Sequence, residues 1–129
     1  MKWAVIVARG FLGLVFVVFG VNAFLNFIEM PPQPEPVASF TKIMYIDSHY
    51  LHVVKALEIV CALMLLSGKF VPLSLSILTP IAVNILLFEV FIAGTPGPGG
   101  VLLALCIFLI FAYRSYFFPV FTADARIGG

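Results

Sequence analysis

Charge is scarce in this sequence. Only 10% of its 129 residues are Asp, Glu, Lys or Arg, against roughly 25% in a soluble domain. The net charge of +1 leaves no basic excess, so no nucleic-acid partner is expected. Cysteine is nearly absent too. Cys61 and Cys106 stand alone in apolar runs, without a C-x-x-C spacing. That pattern offers neither a dithiol redox centre nor a zinc site, and no metal ligand set is expected. The two cysteines differ in depth along their helices, whereas a disulfide needs Cα atoms within ~7 Å. No disulfide is expected.

What fills the chain is apolar surface. Hydrophobic residues make up 63% of it, and 14 residues are Phe. Four runs approach the ~20 residues of helix that cross a membrane core: Trp3 to Phe24, Ser48 to Ser67, Phe70 to Ala93 and Val101 to about Phe118. The expected fold is an all-α membrane protein, a single four-helix bundle. Between the first two runs lies a loop, Leu25 to Asp47, with a Met-Pro-Pro-Gln-Pro-Glu-Pro core. Proline lacks the N–H and disfavours helix in the residue before it, so this core is extended. Val37 to Tyr45 can form a short amphipathic helix on the membrane surface. Pro80 is interior to the third helix and is expected to kink it. Gly13 and Gly20, seven apart, share one face of the first helix, where a neighbour can approach closely.

Lys2, Arg9, Lys69, Arg114 and Arg126 fall at one end of this bundle. Only Lys42 falls at the other, with Glu29, Glu35 and Asp47. The positive-inside rule then puts both termini in the cytoplasm and the proline loop outside.

The second run carries two opposite charges. Lys55 and Glu58 are three apart, hence neighbours on one side of a helix. Either charge alone in lipid costs at least ~2.5–3.5 kcal/mol, so the pair should face a protein interior or wet cavity. His52 extends the stripe one turn. By the rise of ~1.5 Å per residue, Glu58 lies near mid-membrane, and Asn22, His52 and Glu89 lie roughly 8–12 Å outward. Asn84 lies between. These six residues, Asn22, His52, Lys55, Glu58, Asn84 and Glu89, are the candidate ligand and proton cavity, opening outward. Asn84 and Glu89 are ~140° apart around an ideal helix, so both face one cavity only if its mouth is wide. Glu58 and Glu89 are the candidate proton-exchanging carboxyls. Arg9, Tyr113 and Arg114 form a separate inner set.

The order of these motifs carries a resemblance. Arg9-x3-Gly13-x2-Phe16-x2-Phe19-Gly20-x-Asn22 is followed by Lys55-x2-Glu58-x6-Leu65-Leu66-x-Gly68. Then come Pro72-Leu73, Thr79-Pro80 and Val83-Asn84-Ile85-x2-Phe88-Glu89. Together they resemble the DoxX and DoxX-like membrane family over nearly the whole chain, with Glu89 where that family often has His. The resemblance implies a multi-pass protein of the cytoplasmic (inner) membrane, in contact with the bilayer and associated with a redox protein. The family name is linked to thiosulfate:quinone oxidation, so a quinone is the implied cofactor. Lys55, Asn22 or Asn84, and His52 would donate to its carbonyls, with Glu58 relaying protons. No motif assigns a catalytic residue or decides whether the chain turns over a substrate. Two other readings stand beside the accessory oxidoreductase subunit. One is a transporter of a small solute or proton, which at this size calls for a homodimer. The other is a structural membrane subunit whose charge pair fixes assembly.

Overall fold

A computed structural model describes residues 2–25, 34–47, 50–94 and 97–128. All regular structure among them is helical. Helix α1 spans Lys2–Leu25. A short α2, Val37–Thr41, continues as a π-helical turn over Lys42–Asp47. Helix α3 spans Tyr50–Ser67. Helix α4 spans Val71–Phe88 and widens into a π-helical turn over Glu89–Ala93. Helix α5 spans Gly99–Ala112, and α6, Arg114–Phe117, leads into a 3₁₀ turn over Phe118–Phe121. Residues 48–49 and much of the proline loop (26–33) lie outside the described residues.

Helices α1, α3, α4 and α5 pack as a ring: α1 on α3, α3 on α4, α4 on α5, and α5 back on α1. The core is a column of apolar side chains, among them Leu12, Phe16, Cys61, Ala62, Leu65, Leu75, Leu78, Cys106 and Leu109. Both cysteines are free and buried. The closest seam is α1 against α3. A side chain at Gly13 would meet Leu66, and one at Gly20 would meet Ile59, each within 3 Å. Small residues are what let membrane helices approach closely enough to pack.

The distribution of polarity is inverted relative to a soluble protein. Val7, Phe11 and Leu14 of α1, and Val53, Leu57, Val60 and Leu63 of α3, face outward and exposed. Asn22, Glu58, Ser74 and Glu89 are buried. An apolar exterior over a partly polar interior is stable in lipid, where buried polar groups need partners more than apolar ones need shelter. Among the described residues three helices are long and apolar enough to span a membrane: Lys2–Asn22, Tyr50–Ser67 and Val71–Ala93. A fourth span is completed if α5 and the α6 segment, bent by 85°, count as one.

That bend interrupts the expected fourth helix, Val101 to about Phe118, at Tyr113. Helix α5 stops at Ala112, and its 14 residues span only ~21 Å. Arg114 there turns its guanidinium back onto the Phe111 carbonyl (3.0 Å) and over the Phe111 ring. Helix α4 continues through Pro80 without interruption, from Val71 to Phe88. The hydroxyls of Ser74, Ser76 and Thr79 each donate to the carbonyl four residues earlier, which satisfies them inside their own helix. Between α3 and α4 the chain reverses through Gly68 (φ 78°), whose N–H reaches the carbonyls of Met64 and Leu65. Only glycine takes this left-handed cap without steric cost.

Candidate functional site

A cavity of about 1060 Å³ opens between α1, α2, α3 and α4. Its polar floor is supplied by α3. Lys55 and Glu58 lie one turn apart, and Lys55 Nζ stands 3.0 Å from Glu58 Oε2. The Glu58 side chain is almost sealed (2% exposed), while that of Lys55 keeps 17%. The cation therefore faces the cavity and the carboxylate lies behind it. Asn22 of α1 is buried and lines the same space, as does His52. The His52 ring rests 5.4 Å from that of Phe24.

The remaining walls are mostly apolar. Helix α4 contributes Ile81, Ile85, Leu87, Phe88 and Phe91, with Asn84. Asn84, Leu87 and Phe91 are exposed. The cavity thus runs from an apolar rim on α4 inward to a charged floor at Lys55 and Glu58.

The roof is a feature that the sequence reading did not assign. Val37, Phe40, Thr41 and Met44 all line the cavity. They sit at i, i+3, i+4 and i+7, the spacing of one helical face, and that spacing was the available signal. The expected surface helix is present, but this face covers the cavity rather than the lipid. Phe40 seats its ring 4.6 Å from that of Phe88 and so ties the roof to α4.

Five of the six candidate residues, Asn22, His52, Lys55, Glu58 and Asn84, are brought to this one cavity. Glu89 is placed elsewhere. Its position, ~140° around the helix from Asn84, aims it at the start of α5. Its carboxylate accepts the Gly99 N–H, with Oε1 at 2.5 Å and Oε2 at 3.2 Å. A side chain at Gly97 or Gly99 would overlap that carboxylate. Glu89 is buried and holds an otherwise unsatisfied N–H at a helix N-terminus, where the helix dipole favours negative charge. Its expected part in the cavity is thereby replaced by a capping contact.

No group of three or more His, Cys, Asp or Glu that could hold a metal occurs among the described residues. Arg9, Tyr113 and Arg114 line a second, smaller pocket at the opposite end of the bundle. Arg9 donates to the Tyr113 hydroxyl at 3.1 Å.

No curated protein and no solved structure matches the chain. The DoxX family model matches residues 4–95. That range takes in α1 to the end of α4, every residue that lines the cavity, and all six candidates. With more than two thirds of its length matched, this small multi-pass membrane protein belongs to the DoxX family.

Proposed function

We propose that the outer cavity binds an amphipathic small molecule of quinone type, and that the protein serves as an accessory subunit of a membrane oxidoreductase. The observation that carries this reading is the pairing of one charged floor with otherwise apolar walls. A quinone ring needs a donor at a carbonyl and a nearby proton source. Lys55 offers the donor, His52 and Asn22 stand in the same cavity, and Glu58 lies directly behind Lys55. An isoprenoid tail needs an apolar exit, and the exposed Leu87 and Phe91 provide one along α4. The proposed orientation puts the end with Lys2, Arg9, Lys69 and Arg114 in the cytoplasm of an inner membrane, by the positive-inside rule. The cavity would then open on the outer side.

Transport of a small polar solute is the weaker reading. An exposed apolar rim suits a lipophilic ligand, and a polar solute would meet it as a barrier. Mass spectrometry of lipids extracted from the gently purified protein tests the proposal. The expected result is a stoichiometric quinone, lost in Lys55→Ala. Bulk phospholipid alone would overturn the reading, and proteoliposome uptake abolished by Glu58→Gln would replace it with transport.

A further inference from the structure

The other end of the bundle holds a basic pocket, independent of the outer cavity. Lys2, Val5, Ile6 and Arg9 recur at i, i+3, i+4 and i+7 along α1 and form one wall. Tyr113 and Arg114, at the 85° bend after α5, form the other. Together they enclose about 450 Å³.

Three cations line this space, and none of its lining residues is acidic. The ion pair among the described residues is Lys55 with Glu58, at the other site. Within the described residues, then, Lys2, Arg9 and Arg114 have no carboxylate within 4.0 Å. This is unusual for Arg9, which is half-buried and well inside α1. Arginine at such a depth ordinarily pairs, because its desolvation is costly. Arg9 is instead held in place by neutral groups. It donates to the Tyr113 hydroxyl and lies against the Gly68 turn, where an added side chain would sit 3.4 Å from its guanidinium. Arg114 is likewise oriented by the Phe111 carbonyl and ring. Each guanidinium has five N–H donors, so both retain free ones.

We infer that this pocket binds a phosphate group, and that the phosphate belongs to an anionic phospholipid. Oriented guanidinium forks suit phosphate oxygens. The neighbourhood favours lipid over a soluble phosphate. Beyond the bend, Tyr116, Phe118, Val120 and Phe121 are exposed on the segment that turns 85° from α5, and Trp3 and Ile6 are exposed on α1. Aromatic and apolar side chains of this kind sit at the headgroup level. Acyl chains of a lipid whose phosphate is in the pocket would lie against them.

The test uses the full chain in nanodiscs of equimolar phosphatidylcholine and phosphatidylglycerol, with the lipids that stay bound counted by native mass spectrometry. Retained phosphatidylglycerol is expected to exceed phosphatidylcholine by about tenfold, a preference in line with a few basic residues at one headgroup. Arg9→Gln and Arg114→Gln, made separately, should each remove most of that preference. Arg126→Gln, in the exposed tail, removes the same charge outside the pocket and should leave it intact. A second arm adds inorganic phosphate to protein in pure phosphatidylcholine nanodiscs and follows thermal unfolding. A stabilisation there that Arg9→Gln abolishes would assign the site to a soluble phosphate and overturn the lipid assignment. Equal retention of the two lipids with no effect of phosphate would overturn the site altogether. So would an Arg126→Gln loss as large as that of Arg9→Gln, since the attraction would then be diffuse.

Discussion

The two ends of the bundle handle buried charge in opposite ways. At the end with the large cavity, the two buried carboxylates among the described residues have partners supplied by the chain: Lys55 for Glu58, and the Gly99 N–H for Glu89. At the opposite end Arg9 and Arg114 are positioned by neutral groups, Tyr113 and the Phe111 carbonyl, and keep donors in reserve. A paired charge surrounded by apolar walls is a fixed dipole, suited to orienting a mostly apolar ligand. Guanidiniums with no carboxylate partner among the described residues, one half-buried and one exposed, are suited to an anion that comes from outside the chain. Belonging to one bundle does not make the two sites one function.

The largest effect expected from breaking this contrast is at the outer pair. Lys55→Ala leaves Glu58 buried without its counter-charge, and loss of one partner of a buried pair costs ~3–5 kcal/mol. Chemical unfolding in micelles should register that loss. The double variant Lys55→Met with Glu58→Leu should return to within ~1 kcal/mol of the parent, because replacing both charges removes the desolvation cost along with the attraction. A double variant as unstable as the single one would mean that the pair itself holds the bundle together, as a structural subunit requires.

Gly99→Ala comes next. Its new methyl group would press on the Glu89 carboxylate and on the Leu86 backbone, at 2.9–3.0 Å from the latter. Overpacking of this kind costs ~1–3 kcal/mol, readable in the same unfolding assay. A neutral result would show that the start of α5 shifts freely off Glu89.

Glu89→Gln separates the two carboxylates more finely. It removes the charge at the α5 N-terminus, worth up to ~2 kcal/mol in a partly buried setting. Ligand retention in the cavity should stay unchanged, since Glu89 does not line it. Retention lost together with stability would return Glu89 to the cavity. Tyr113→Phe should have the smallest effect, ~1 kcal/mol for one hydrogen bond. Thermal unfolding would measure it, and a change in quinone content on this substitution would contradict the independence of the two ends.

Much of this arrangement could be read in the chain. The spans follow from apolar length, and the Lys55–Glu58 pair follows from a spacing of three on one helix. A close helix seam on α1 follows from two glycines seven apart, although its partner, α3, does not. All of these are local signals. What escaped the reading was nonlocal. The face of α2 is visible as a 3.6-residue period, but whether it covers lipid or a cavity depends on Phe88, forty-eight residues away from Phe40. Glu89 looked like a cavity acid because its depth matched that of His52. The deciding contact comes from the backbone N–H of Gly99, at the start of α5. The end of α5 at Ala112 was hidden because the apolar run continues past Arg114, and only the return of Arg114 onto Phe111 marks the stop.

Photolabelling with an azido-quinone on nanodisc-embedded protein tests the central claim most directly. The account predicts adducts on the cavity wall, at Phe40, Ile85 or Phe88, that excess unmodified quinone suppresses. The stable Lys55→Met, Glu58→Leu double variant should lose them while remaining folded. Adducts confined to the outward faces of α1 and α3, such as Phe11 or Leu63, and equal in the double variant, would contradict it.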